Sequence, residues 1–405
     1  MKAPRFVAFV VALCAAAGLL AGCREQATPR VLLISLDGWR WDYRDRFETP
    51  VLDALAAEGA SGARLQPAFP SKTFPNHFTL VTGLVPDHHG IVSNTIRDPD
   101  TGAWFRMADR AAVVDPTWWQ AEPIWTTLEK QGRKTAPLLW PGSEAPIGGV
   151  VPARFVVYEQ DLTDAQRIDM LAASYAKPEA EWPVFATLYW HDVDTVGHRY
   201  GPGSKEVQAA AERVDRALGQ LRARLESLGA SSLNVILVSD HGMSELSEKR
   251  VIYLEDYIDL AAVETVDSSP NLGLVPKTLT VDEIYARLAD KHPHLNVYRK
   301  ADIPARLQYG THPRVPPVFI MADDGWTILP RRTSNSTWSR FGTHGYDNSL
   351  DSMQGLFVAA GPAFRRGVRL EQVRSIDVYE VMCRILDVTP RKHDGDARLA
   401  RAILR

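Results

Sequence analysis

Three apolar runs that each stop at a carboxylate restrict the folds open to this chain. VLLISLDG (31–38), FATLYWHDVD (185–194) and NVILVSDHGM (234–243) are continuous hydrophobic stretches of strand length, with Asp37, Asp194 and Asp240 just past their apolar parts. Runs without polar alternation are strands buried on both faces. Helical stretches separate them: VQAAAERVDRALGQLRARLESL sets Val207, Val214, Leu218, Leu221, Leu225 and Leu228 on one stripe, with arginines and glutamates elsewhere. Strand, helix, strand alternation calls for a mainly parallel sheet covered by helices on both faces, and such sheets bind ligands outside the carboxyl ends of their strands. A fourth segment has the reverse order, because GTHGYDN, with His344, comes before the apolar SMQGLFVAAG.

At 405 residues the chain is long enough for one large α/β domain with an inserted unit. From about Leu254 to Trp338 the pattern changes. TVDEIYARLADKH reads as an amphipathic helix, and RVPPVFIMADDGWTIL as a strand whose preceding prolines suit a sheet edge. We read 254–338 as an inserted cap between two parts of a catalytic core, 30–253 and 339–405, since a structureless loop of that length is improbable in a compact domain. A formal net charge of -3 lacks the basic footprint of a nucleic-acid-backbone binder. Any phosphate affinity is therefore local.

The first 22 residues combine a basic start, MKAPR, with an apolar run, and have the form of a secretory signal. Leu20-Ala21-Gly22-Cys23 resembles the lipobox of bacterial lipoproteins, in which the cysteine is diacylated and becomes the new N-terminus. Residues 23–29 would then be a tether on the periplasmic face of a membrane, and Arg24 favours the outer membrane. With Cys14 in the signal and Cys23 lipidated, Cys383 is left without an intrachain partner; its helical surroundings, IDVYEVMCRILDV, mark it as packing.

The richest stretch for chemistry is FPSKTFPNHFTLVTG, which puts the Thr73 hydroxyl at an expected helix start, with Pro75 in the first turn. A helix start offers unpaired N–H groups to an anion, so Thr73 is a candidate nucleophile; the competing role is a helix cap. Asp194 and His198 lie four apart and can face one ion. Asp240 and His241 are adjacent at a strand end, and His344 sits in a glycine-flexed loop. With Asp37 these make three carboxylates and three imidazoles without a thiolate, a donor set that fits two divalent ions such as zinc.

In order along the chain, FPSKTFPNHFTLVTG, LVPDHHGIVSN, EPIWTTLEKQGRK, WPGSE, VDTVGHRYGP, VSDHGM and GTHGYDN resemble the successive motifs of the nucleotide pyrophosphatase/phosphodiesterase family of the alkaline phosphatase superfamily. That resemblance covers Val31 to about Pro362. It implies an alkaline-phosphatase-like three-layer α/β sandwich, Thr73 as nucleophile, one zinc held by Asp37, Thr73, Asp240 and His241, and a second by Asp194, His198 and His344. It also implies Asn94 as a ligand of a phosphoryl oxygen, helped by the backbone N–H beside Thr73, and Phe74 with Tyr158 as walls around a nucleobase. The expected substrate is a nucleotide diester, a pyrophosphate linkage or another small phosphodiester, and the expected state a monomer. One departure stands close to the site: the family's Glu-x-Pro-Asp is His191-Asp192-Val193-Asp194 here, so Asp192 competes with Asp194 as a ligand, although only Asp194 keeps the spacing to His198. Lys72 is the one cation near the nucleophile, and its charge would favour the rival reading, a phosphomonoesterase. A phospholipid or choline-type diesterase and a non-catalytic lipid-anchored binding protein are the further alternatives. A sulfatase is disfavoured, as neither C-x-P-x-R nor S-x-P-x-R occurs.

Overall fold

The computed structural model describes residues 28–331 and 338–405. Cys23, on which the expected lipid anchor depends, lies outside them. The apolar runs do pair. Val31–Leu36 is flanked by Phe185–Trp190 and Asn234–Val238, both parallel to it, in a seven-stranded sheet. Thr135–Pro137 closes one side, parallel to its neighbour, and Ala60–Gln66 with Val368–Arg374 forms a parallel pair at the other. Only Gly355–Ala360 runs antiparallel to both neighbours. This explains the reversed order of its segment: a loop preceding an antiparallel strand emerges at the edge where the loops following the parallel strands emerge. Asp37, Asp194, Asp240 and His344 thus arrive at one edge.

Alternate residues of the central strand feed two separate cores. Val31 and Leu33 pack with Phe78, Val81, Trp125 and Val381, whereas Leu32, Ile34 and Leu36 pack with Leu52, Leu171, Val214 and Leu221. Helices therefore cover both faces, giving three layers. Helix Lys205–Ser227 buries the predicted stripe from Val207 to Leu225, and Leu228, just past its end, is half-buried against the same core. Cys383 is fully buried on helix Val378–Ile385, and burial pushes its thiol up to about 12, so it is inert packing. Among the described residues no helix is long and apolar enough to cross a membrane.

A second, four-stranded antiparallel sheet falls between residues 263 and 322, in the order Val263–Val266, Asn271–Pro276, Val318–Ala322, Leu295–Arg299. It carries helix Val281–Leu288, started by a capping box between Thr280 and Glu283, over its own core of Leu274, Ile284, Leu288 and Ile320. The prolines before residue 318 pointed to an edge, but Val318–Ala322 is an inner strand paired on both sides. Pro316 and Pro317 precede the first paired residue, so no ladder donor is forfeited. Thr327–Leu329 is not its continuation; it pairs separately with Val251–Tyr253. Buried charges tie this sheet's loops to the main body. The Asp87 carboxylate accepts from the N–H groups of Gly310, Thr311 and His312 at 3.0, 2.7 and 3.0 Å. Arg314 donates to the carbonyls of Gly90, Trp118 and Thr117.

Candidate active site

Thr73 is the first residue of helix Thr73–Thr82, and the cap position itself belongs to Lys72. The hydroxyl is therefore not spent on capping: Thr73 Oγ1 stands 3.3 Å from His241 Nε2. The loop that presents it is stitched by Asn76, a fully buried side chain four residues after Lys72. Its Oδ1 accepts from the Ala68 N–H at 2.7 Å, while Nδ2 donates to the carbonyls of Pro70 and Lys72.

The six predicted ligands converge beside this hydroxyl. His241 Nε2 lies 3.0 Å from Asp240 Oδ2 and 3.5 Å from Asp37 Oδ1. Asp194 faces His198 Nε2 at 3.5 Å and His344 Nε2 at 3.6 Å. The His241 and His344 rings stack, centroids 3.5 Å apart. Each of the three imidazoles gives its Nδ1 hydrogen to a backbone carbonyl: His241 to Gly242, His198 to Gly342, and His344 to Ser71, all at 2.9 Å. In the neutral ring that makes Nε2 the lone-pair nitrogen, turned toward the cluster, the way metal-binding histidines are held. Close approach makes this possible at Gly38, whose φ is +64° and where a Cβ would stand 2.8 Å from the Cα of Asp194. Gly342 likewise abuts the Gly197 carbonyl, which its Cβ would meet at 2.3 Å.

The cluster is short of positive charge. Burial, then the carboxylates of Asp240 and Asp194, pushes Asp37 well above the usual carboxylate range. Burial works the same way on Asp240, but His241 and then His77 overcome it and hold that carboxyl below its ordinary value, while Asp240 in turn raises His241. Burial, then the neighbouring His241 and His198 rings, drives His344 well below the usual imidazole value. Asp37 Oδ1, Asp194 Oδ1 and Asp240 Oδ2 are buried without a hydrogen-bond donor. Carboxylate oxygens orphaned in this way beside lone-pair imidazole nitrogens fit hard-to-borderline cations. Oxygens or nitrogens of Asp194, His241 and His344 come within 4.8 Å of one another, as do those of Asp37, His77 and Asp240.

His77 and Tyr189 belong to the site although the sequence reading passed over them. His77, one turn after Thr73, donates from Nδ1 to the Thr73 carbonyl, with Nε2 2.8 Å from Ser35 Oγ; both nitrogens are engaged, so it braces Asp240 and the helix start. Tyr189 donates its phenol hydrogen to Asp37 Oδ2 at 2.5 Å. The spacing of four from the nucleophile was the available signal for His77; Tyr189 sits inside an apolar strand and had none.

Asp192 is drawn toward arginines instead, although its buried Oδ2 has no hydrogen-bond donor. Its Oδ1 is taken by Arg213 at 2.6 Å, and Arg167 stands 3.9 Å from Oδ2. Lys72 is paired too: its amine lies 2.7 Å from Asp267 and also donates to the carbonyls of Ser268 and Asn271. Asn94 Oδ1 accepts from the Phe74 N–H at 2.9 Å. The N–H beside Thr73, expected as a phosphoryl donor, is thus engaged here, and among the described residues Asn94 Nδ2 has no hydrogen-bond partner. Phe74 and Tyr158 line one cavity of about 390 Å³ together with Thr73, Asp37 and Asp194. Phe74 is backed by Phe105 and Trp119; Tyr158 is 40% exposed and leans on Tyr189 and His191. Arg110, the one lysine or arginine among the described residues lining this cavity, is paired with Glu144.

Residues 31–347 match the family model of type I phosphodiesterase/nucleotide pyrophosphatase. The bis(5'-adenosyl)-triphosphatase ENPP4 of Bos taurus is 39% identical over 388 residues, which cover 93% of this chain and 83% of that protein. Ectonucleotide pyrophosphatase/phosphodiesterase family member 5 of Homo sapiens is 36% identical over 369 residues, 90% of this chain and 76% of that one. A solved structure of an inactive point variant of murine ectonucleotide pyrophosphatase/phosphodiesterase 5 in complex with AMP aligns with a TM-score of 0.88 at 34% identity, over 93% of this chain and 100% of that chain.

Proposed function

Because this chain belongs to the type I phosphodiesterase/nucleotide pyrophosphatase family, metal-dependent hydrolases with an alkaline-phosphatase-like fold, we propose that it cleaves nucleotide diesters or pyrophosphate linkages to nucleoside 5'-monophosphates through a phospho-threonine on Thr73. Asp37, Thr73, Asp240 and His241 would hold one zinc ion and Asp194, His198 and His344 a second; bound there, such ions lower the pKa of a hydroxyl and offset charge on phosphoryl oxygens. The observation that carries the reading is that Thr73, Asp37 and Asp194 line one cavity with two aromatic walls, while Asp240, His241, His198 and His344 pack against those carboxylates and that hydroxyl.

The oxygen of Thr73 attacks phosphorus, the ester or anhydride oxygen departs, and water then cleaves the phospho-threonine. Asn76 and His77 fix the loop and the helix start, so the nucleophile is positioned before substrate arrives. Asn94 donates from its free Nδ2 to a non-bridging oxygen. A neutral amide suits a monoanionic diester, whereas a dianionic monoester calls for a cation near those oxygens. Lys72 is neutralised by Asp267 and Arg110 by Glu144, which favours diesters over the rival phosphomonoesterase. Phe74 and Tyr158 stack the nucleobase, an interaction worth about 1–3 kcal/mol per base.

The deciding experiment compares kcat/KM for the p-nitrophenyl ester of a nucleoside 5'-monophosphate with that for p-nitrophenyl phosphate. A large preference for the nucleotide ester is expected, and Phe74→Ala should shrink it; equal or faster turnover of the monoester would overturn the assignment. We further propose that the protein is exported and works as a monomer, with Cys23 as a lipid anchor on the periplasmic side of the outer membrane. Cys23→Ser should then move it out of the membrane fraction.

A further inference from the structure

One polar side chain in the cavity wall has no part in the scheme above. His191 lines the same cavity as Thr73, Phe74 and Tyr158. Its ring stands edge-on to Tyr158, centroids 6.1 Å apart at 77°. Three residues further along the chain comes Asp194, at the phosphate end of the cavity. The ring is locked from behind: Arg167 Nη2 lies 3.0 Å from His191 Nδ1. A guanidinium donates only and does not give up its proton, so Nδ1 must be the lone-pair nitrogen and the imidazole hydrogen sits on Nε2. Turning the ring over would put a C–H against the guanidinium and lose that bond. Arg167 cannot swing aside, because it is 1% exposed, donates to the Leu162 carbonyl and faces Asp192, itself held by Arg213. Nε2 has no partner among the described residues and is not among their sealed, unpaired atoms, so its hydrogen is accessible on a side chain that lines the cavity.

We propose that His191 presents this Nε2–H to a sugar hydroxyl of the substrate's nucleoside and so favours nucleotides that carry that hydroxyl, a role that rests on the nucleotide reading above. In a nucleotide, the sugar lies between the base and the 5'-phosphorus. His191 lies between the groups assigned to those two ends, touching Tyr158 on one side and leading into the Asp194 helix on the other. A site built to pair with a hydroxyl rejects the analogue that lacks it.

The test uses three substrates of the full-length, metal-loaded enzyme: the p-nitrophenyl ester of a ribonucleoside 5'-monophosphate, the same ester of its 2',3'-dideoxy analogue, and bis(p-nitrophenyl) phosphate. His191→Ala should lose about fivefold in kcat/KM on the first, mainly through KM, and little on the other two, as expected for one neutral hydrogen bond. His191→Gln should restore the loss, since its amide oxygen accepts from Arg167 while its NH2 donates to the sugar; His191→Glu should not. An equal loss on all three substrates, or none on the ribonucleotide, overturns the role of His191 alone. A parent enzyme that cleaves bis(p-nitrophenyl) phosphate but gains nothing from the nucleoside overturns the nucleotide reading, and the role of His191 with it.

Discussion

Replacing Gly38 with alanine should damage activity out of proportion to stability, and the structure supplies the controls that separate the two effects. At φ +64° a side chain costs about 1–2 kcal/mol whatever the surrounding space. The new Cβ would also stand 2.8 Å from both Cα and Cβ of Asp194 and 3.0 Å from its Oδ1, an overlap with backbone that adds about 1–3 kcal/mol. Relief requires Asp194 to retreat. A displacement of about 1 Å at a reacting centre can lower turnover roughly 100-fold. Gly132 shares the backbone conformation, with φ +74°, but has nothing within 4 Å, so Gly132→Ala should lose about 1–2 kcal/mol and no activity. Gly203 has neither constraint, and Gly203→Ala should leave both unchanged. Urea unfolding gives the stability of each variant; kcat/KM on a nucleotide ester and bound metal per chain give the site. If Gly38→Ala matched Gly132→Ala in all three measurements, the close approach of Asp194 would not govern the site.

Thr73→Ala should abolish turnover with the unfolding midpoint nearly unchanged, and Thr73→Ser should keep part of the rate; a working Ala variant would reduce Thr73 to a structural residue. Chelation should remove about two zinc per chain together with activity, both returning on adding zinc, as a two-metal site demands; full activity in metal-free protein would refute the ligand set. Asp87 yields a pH prediction. Burial opposes its ionisation, but the Thr311 hydroxyl and the N–H groups of His312, Thr311 and Gly310 outweigh that and hold the carboxyl below its ordinary value. Its contribution is present above the unfolded-state pKa of about 3.9 and disappears as pH falls through the folded value. Asp87→Asn should therefore cost about 1–3 kcal/mol in urea unfolding at pH 7, with the gap to the parent closing as pH drops below about 4; a gap that does not change with pH would contradict the carboxylate's role.

What was legible in the sequence was local. An apolar run that stops at Asp37 or Asp240 declares together its strand and the carboxylate that the strand carries to the sheet edge, and DTVGH carries its own spacing. What escaped depended on partners distant in the chain. Tyr189 looks like one more apolar strand residue until it meets Asp37, 152 positions away. Lys72 reads as a free cation beside the nucleophile because its neutralising Asp267 belongs to the other sheet. Asp192 resembles a spare ligand because Arg213 lies on the next helix. The prolines before Val318 promised an edge by a rule that concerns proline inside a ladder, and these stand just outside it.

The antiparallel strand Gly355–Ala360 lies between Ala60–Gln66 and Asn234–Val238, although it is nearly the last strand to be synthesised. A nascent chain without it has its sheet divided, with Ala60–Gln66 lacking a neighbour on that side and the His344 loop lacking the strand that follows it in the sheet. The fold therefore has no self-sufficient N-terminal half. Long-range pairings of this kind make folding slow, and commitment must wait for roughly the C-terminal eighth of the polypeptide. Truncation anywhere before residue 355 should leave an insoluble fragment, while separately expressed pieces divided in an exposed loop should regain function only when the late piece supplies this strand.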